Sequence, residues 1–345
     1  MKFQKQHLCN LPFCYAVGCV QASGRTKYIF ATDDTGPCYA MDAETFECET
    51  VWDGPGGTMS IIPLPGQNSA FLASQNFMPG FSASHARIVK VSYQTDTWQV
   101  EPWMDLPYVH RFDLLERNGT WYFLGCVLST TTQEQAEWDK PGALVAAPLS
   151  PSFAPPAQLT TIAQGMFRNH GYCRVEREGY TQAYTACDQG IFQITPPAAP
   201  NETWTVRQLL DLPASDVAVC DIDGDGQEEL AAIEPFHGAS FVIYHAEGSH
   251  YKEIYRYPKP APFLHAIWGG KLRGRPVFLA GCRENDQEFF LVNYNGASIQ
   301  AHIIETGHGP SNVAVLPGTE QDIILIANRQ SHEGALFYVQ EETKG

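Results

Sequence analysis

Apolar residues in this chain come in short runs rather than helical stripes. Stretches rich in Val, Ile, Phe, Tyr and Thr recur along its whole length, cut by Gly, Pro, Asn and Asp. That is the pattern of strands joined by tight turns, and a 3.6-residue period is hard to find anywhere. Laid against one another, the runs give seven units. They open at "CYAVGCVQASGRTKYIFATDD", "TMSIIPLPGQNSAFLASQN", "HRFDLLERNGTWYFLGCVL", "HGYCRVEREGYTQAYTACD", "DVAVCDIDGDGQEELAAIEP", "HAIWGGKLRGRPVFLAGCRE" and "NVAVLPGTEQDIILIANRQ". Each reads as strand, polar turn, strand. A third strand follows in most units, as in "ARIVKVSY" and "EFFLVNYN", and a weaker fourth runs toward a Pro- or Gly-marked link, as in "WTVRQLLDLP".

Four strands per unit and a period of about 49 residues predict an all-β chain folded as a β-propeller. The expected form is seven four-stranded blades in one domain spanning residues 1–345. The last unit ends after its third strand, so the N-terminal "KFQKQHLC" is expected to supply the missing outer strand and close the ring. Closure of this kind removes exposed sheet edges. A pair of β-sandwiches is the structural alternative, but it leaves the repetition unexplained.

Composition narrows the partners. Hydrophobic residues make up 44% and charged residues 17% of the chain, as in a globular protein. A formal net charge of −16 argues against nucleic acid or an anionic membrane as partner. Residues 1–20 start basic, but Asn10 and Pro12 break the apolar run a secretory signal needs. No stretch reaches 18 apolar residues, so no membrane-spanning helix is expected. A cytoplasmic location follows as the expectation. The ten cysteines form no C-x-x-C pair and mostly sit in strand-like runs, which predicts reduced, largely buried thiols.

The most patterned stretch is "VAVCDIDGDGQEEL", residues 217–230, between the first two strands of its unit. Asp221, Asp223 and Asp225 alternate, so their carboxylates can converge on a hard cation, with Glu229 as a further carboxylate. A hydrogen-bonded Asx-type turn without any ion is the alternative. The loop resembles the calcium-type loop of FG-GAP and VCBS repeats, a propeller family; the other units share only the strand pattern. The resemblance implies a structural calcium ion. It also implies a face of the propeller opposite the loops that usually bind substrate.

On the other face the expected chemistry is richer. The predicted starts of the first strands read Tyr15, Thr58, His110, His170, Asp216, His265 and Asn312 around the channel, with His308 four residues before the last. Neutral imidazole is the commonest ligand for Mn, Fe, Ni or Zn. His110, His170, His265 and His308 are therefore the candidate ligands of a divalent transition metal; a hydrated polar channel is the alternative. Loops between second and third strands add His85, His237 and His332, and strand-two ends add Asp34, Asp188, Glu234, Arg283 and Arg329. With Arg111 and Arg168, these arginines would ring the mouth of an otherwise acidic protein and suit a small anionic carbohydrate. The long insertion "STTTQEQAEWDKPG" is a candidate lid over the same mouth.

The architecture is similar to seven-bladed polysaccharide and oligosaccharide lyases, including cytoplasmic ones with a histidine-bound metal in the channel. That similarity implies a metal-assisted β-elimination on a uronate-type sugar. His237 or His332 would be the base, with Tyr172 an alternative acid or base. Arg168 or Arg283 would clamp the carboxylate, and Arg111, Arg329, Glu234, Asp188 and His85 would contact substrate. Three alternatives stay open: an isomerase or dehydratase at the same site, a non-catalytic ligand- or protein-binding propeller, and a hydrolase using carboxylates such as Asp188, Asp216 and Glu234.

Overall fold

A computed structural model describes residues 1–77, 83–130, 138–248 and 250–341. Among these there is no α-helix, only strands and one 3-10 turn at Ala83–His85. Five sheets have four strands each. The sixth, of eight, is two four-strand runs, Val109–Met166 and Gly171–Leu210, bridged by the single pair Arg117–Tyr180. The protein is a β-propeller.

Burial along each run explains why its strands were readable. Asp216–Cys220 and its partner Glu229–Glu234 are buried almost throughout, because neighbouring sheets cover both faces. Such strands show continuous apolar runs rather than alternation. The outermost strand Thr205–Leu210 is largely exposed, so its pattern is faint. Ser23-Gly24, Asn118-Gly119 and Arg273-Gly274 have positive φ at both residues. That geometry marks the type I′ turn whose twist matches a hairpin. Fully buried phenylalanines, including Phe30, Phe71, Phe123, Phe241, Phe278 and Phe290, fill the space between sheets. No helix among the described residues is long and apolar enough to cross a membrane. All ten cysteines are free thiols, seven of them buried.

The first strands of successive runs pack side by side around a channel. Cys14–Ala22 lies between Ile61–Pro63 and Pro310–Leu316, and Asp216–Cys220 lies between Gly171–Arg177 and Leu264–Leu272. The chain ends meet as expected: Lys2–Asn10 pairs antiparallel with Glu333–Gln340. A charged network holds that seam. Lys5 Nζ donates to Glu305 at 2.6 Å and to Glu333 at 2.8 Å, His7 Nδ1 lies 3.0 Å from Glu333, and Asn328 donates to Glu333 at 2.8 Å.

Burial pushes the Glu333 carboxyl up, but its bonds from Lys5, His7 and Asn328 outweigh this and hold it at about 2. A carboxyl depressed on folding stabilises the fold above its unfolded value and loses that contribution as pH falls through the folded one. Thermal melts of wild type are therefore expected to lose stability between about pH 4.5 and about pH 2, and Glu333→Gln to flatten that part of the curve. An unchanged slope in the variant would remove the seam from the acid response.

Candidate functional site

Four first strands begin with the same irregularity. The ladder skips Tyr15, His110, His265 and Ser311, each lying between two paired residues. An extra residue in a strand re-aims its side chain relative to the pleat. Tyr15, His110 and His265 line a cavity of about 300 Å³ at one mouth of the channel. His170, just before Gly171–Arg177, lines it too, and His237 reaches it from the turn after Glu229–Glu234.

The three buried imidazoles are oriented alike. His110 Nδ1 lies 3.1 Å from the His170 carbonyl, His170 Nδ1 3.0 Å from the Ser215 carbonyl, and His265 Nδ1 2.8 Å from the Ser311 carbonyl. A carbonyl only accepts, so each neutral ring carries its proton on Nδ1 and presents a bare Nε2 lone pair. His237 Nε2 lies 3.3 Å from His170 Nε2. Tyr15 Oη lies 3.1 Å from His265 Nε2 and 3.4 Å from His110 Nε2. Ligand nitrogens of His170, His237 and His265 fall within 4.8 Å of one another. Three tetrahedral bonds of about 2.1 Å to a common ion need ligand atoms about 3.4 Å apart, and His170 Nε2 and His237 Nε2 stand at 3.3 Å.

Electrostatics keeps the rings uncharged. Burial first holds His110, His170 and His265 well below the usual histidine range, followed by Arg111 at His110, neighbouring imidazoles at His170 and Arg283 at His265. Burial, with Arg283 and Arg168, lowers His237 to about 3. Neutral imidazoles are the form that binds a metal. Burial raises Tyr15 to about 12, so its hydroxyl stays a donor.

The cavity lining is mixed. Its apolar part includes Met59, Leu128, Phe236, Phe263, and Phe77 stacked on Trp138 at 6.4 Å and 7°. Its charged part is Asp33, Arg283 and Arg329. These three occupy one structural position, the residue directly after the second strand of its run: Thr32, Cys282 and Asn328 precede them. Arg329 Nε donates to Asp33 at 2.5 Å. Arg283 lies over the Phe263 ring at 4.4 Å, and burial plus Arg329 lowers it to about 10.

The sequence-predicted residues divide. His110, His170, His237, His265, Arg283 and Arg329 come together in the cavity. His308 does not join them: it faces Ser331 at 3.0 Å and Glu305 and Glu333 at 3.3 Å, as part of the closure seam. His332 is exposed and accepts the Phe13 N–H at 2.9 Å, and His85 is exposed beside Ser84. Arg168 sits above Phe236 and 3.7 Å from Asp188, outside the cavity lining. Glu234 accepts from Tyr244 at 2.6 Å.

Arg111 and Tyr172 occupy a second, larger cavity of about 730 Å³, reached from the opposite end of the first strands. Tyr172 donates to Asp113 at 3.0 Å, and Arg111 bonds the Met59 carbonyl. Register explains part of this. The bulge places Ser311, not Asn312, in line with His110 and His265, and Ser215, not Asp216, supplies the matching carbonyl. Asp216 turns the other way, accepting from Tyr172 N at 3.0 Å; burial raises its carboxyl to about 7. Likewise Asp33 lines the cavity and Asp34 does not. The shared post-strand position with Arg283 and Arg329 is the signal that would have found it. Half of the candidate lid, residues 131–137, lies outside the described residues.

The acidic loop forms nested turns. Asp221 accepts from Gly224 N at 2.8 Å and Gly226 N at 3.2 Å, and Asp225 accepts from Gln227 N at 2.7 Å. Asp221, Asp223 and Asp225 are close enough to share an ion. Glu229 is buried, accepting from Ile222 N at 2.8 Å and lying 2.7 Å from His245 Nδ1; it is close enough to Asp223 and His245 to share an ion with them.

No protein-family model matches the sequence, and no curated relative does. The FG-GAP and VCBS resemblance therefore rests on the loop alone. Solved structures share the fold at low identity. Aldose sugar dehydrogenase from Streptomyces coelicolor, in its PQQ-bound form, matches at TM-score 0.51 and 14% identity over 98% of each chain. A candidate 6-phosphogluconolactonase from Bacteroides uniformis matches at 0.56 and 13%, covering 89% of this chain and 88% of that one. A chain of the mitotic checkpoint complex matches at 0.59 and 8%, covering 99% and 94%. Enzymes and an assembly component share this propeller, so function has to come from the site. A specifically lyase-like architecture finds no separate support in these likenesses.

Proposed function

We propose that this protein is a metal-dependent enzyme that performs an elimination on a small anionic carbohydrate at the histidine-lined mouth of the channel. One observation carries the reading: the ligand nitrogens of His170, His237 and His265 converge from three consecutive runs, with those of His170 and His265 bare by virtue of their Nδ1 bonds. These three would hold Mn, Fe, Ni or Zn, which when bound supplies Lewis-acid polarisation of a substrate oxygen. The sugar-related neighbours agree with a carbohydrate substrate, and a cavity of about 300 Å³ suits one or two sugar units rather than a polymer.

The remaining residues divide the other tasks. Arg283 holds the substrate carboxylate. With His265 engaged as a ligand, Tyr15 Oη is left with His110 Nε2 as its acceptor. Tyr15 takes the proton from the substrate carbon as its own proton passes to His110. The released C–H electron pair forms the new C=C bond. The adjacent C–O bond breaks, and the leaving oxygen keeps its pair and takes the proton from His110, which returns to the uncharged form that burial favours. His237, read from sequence as the base, serves here as a ligand because it stands 3.3 Å from His170.

The test is metal content by inductively coupled plasma mass spectrometry, on protein purified without chelator or histidine tag. Wild type is expected to hold close to one transition metal per chain, and a His170→Ala, His265→Ala double variant to hold none. A screen of uronate-containing oligosaccharides for ultraviolet-absorbing unsaturated products follows. Wild type free of transition metal would defeat the reading.

A further inference from the structure

Asp33 is the most unusual side chain of the cavity wall. It is 3% exposed, and its two oxygens are treated differently. Oδ2 receives the Arg329 Nε–H, whereas Oδ1 is fully buried and has no donor among the described residues. A buried carboxylate oxygen without a donor is costly unless a ligand brings one. Arg283, beside it in the same wall, has a buried Nε without an acceptor and no ion-pair partner among the described residues. The wall thus holds an unpaired acceptor and, beside it, an unpaired donor. A bare anion satisfies only the second. A ligand with a hydroxyl beside its acid group satisfies both.

Resting on the proposed function above, we propose that Asp33 is the specificity-determining residue that reads a substrate hydroxyl. Its Oδ1 accepts that hydroxyl while Arg283 holds the neighbouring acidic or carbonyl oxygen, and Arg329 positions Asp33 through Oδ2. The substrate class is then a hydroxy acid edge of a sugar, not a simple carboxylate and not a phosphate dianion, which Asp33 would repel. Phe77 and Trp138, which line the same cavity, offer apolar ring surface against which the C–H face of a sugar ring packs.

The experiment compares binding of D-glucuronate, D-galacturonate and D-mannuronate with cyclohexanecarboxylate, which matches them in ring size and charge but has no hydroxyl. Calorimetric titration of wild type is expected to show at least one uronate binding about tenfold or more tighter than cyclohexanecarboxylate. Asp33→Asn and Asp33→Ser are expected to reduce that preference to about threefold or less, with metal content unchanged. Uronates that bind no better than cyclohexanecarboxylate overturn the proposal, and so do variants that keep the wild-type preference. The wild-type comparison needs no variant to fold. A metal-free protein that still prefers the uronates would defeat the proposed function and leave Asp33 as the hydroxyl reader.

Discussion

Replacing Tyr15 by Phe is expected to lower turnover by about 10²–10⁴-fold, the usual range for losing a positioned proton-transfer group. The variant keeps the ring, its edge contact with His265 at 5.1 Å and the Arg111 guanidinium 5.9 Å from its centroid. Only the hydroxyl that bridges His265 and His110 is lost. Metal content should stay at the wild-type level, because Tyr15 lies outside the three-histidine group. Steady-state rates on a substrate from the unsaturated-product screen, with metal analysis of the same samples, separate the two effects. Full activity in Tyr15→Phe would remove the Tyr15–His110 pair from the chemistry.

Gly171→Ala should be nearly as damaging, although it adds one carbon. A Cβ at Gly171 would lie 2.4 Å from the Asp216 Cα and 2.7 Å from the Ser215 carbonyl oxygen. These are backbone atoms and cannot swing away. The strand Gly171–Arg177 must shift from Asp216–Cys220, at a cost of about 1–3 kcal/mol for overpacking. The same shift pulls the Ser215 carbonyl from His170 Nδ1 and moves His170 away from His237. Loss of such an orienting bond typically costs about 10–100-fold in metal affinity. Chelator competition should therefore show weaker binding in Gly171→Ala, with a lower melting temperature. Wild-type affinity would mean that the carbonyl does not orient the ligand.

Several features were legible before any coordinates. The all-β character and repeating four-strand pattern were readable because central strands such as Glu229–Glu234 are buried on both faces and carry apolar runs. The closing N-terminal strand was readable because the last run lacked an outer strand and the first residues matched one. His110, His170 and His265 stood out as polar residues at strand starts, where a core strand would have none. His237 stood out in its turn, although its partners did not.

Other features depend on geometry that a linear pattern does not carry. A bulge adds one residue to one strand, so Ser311 and not Asn312 matches His110, and a reading by alternation slips by one. His308 was placed with the channel histidines because it lies four residues from a channel strand. Its Glu333 partner belongs to a seam built by residues some 300 positions apart, Lys5 and Glu305. Arg111 directly follows His110, and side chains at adjacent strand positions point in different directions; Tyr172, two residues after His170 and inside the strand Gly171–Arg177, also opens into the other cavity.

The sequence alone determined the strands, their repetition, the closing segment and the supply of imidazole and guanidinium groups, because burial on two faces writes itself into composition. Only the tertiary structure decided which of those groups meet. The bulges aim Tyr15, His110 and His265 inward, neighbouring carbonyls set the tautomers, and adjacent runs bring Asp33, Arg283 and Arg329 to one wall. Each of these depends on how separate runs are docked against each other, and docking is a distance across the chain rather than a pattern along it.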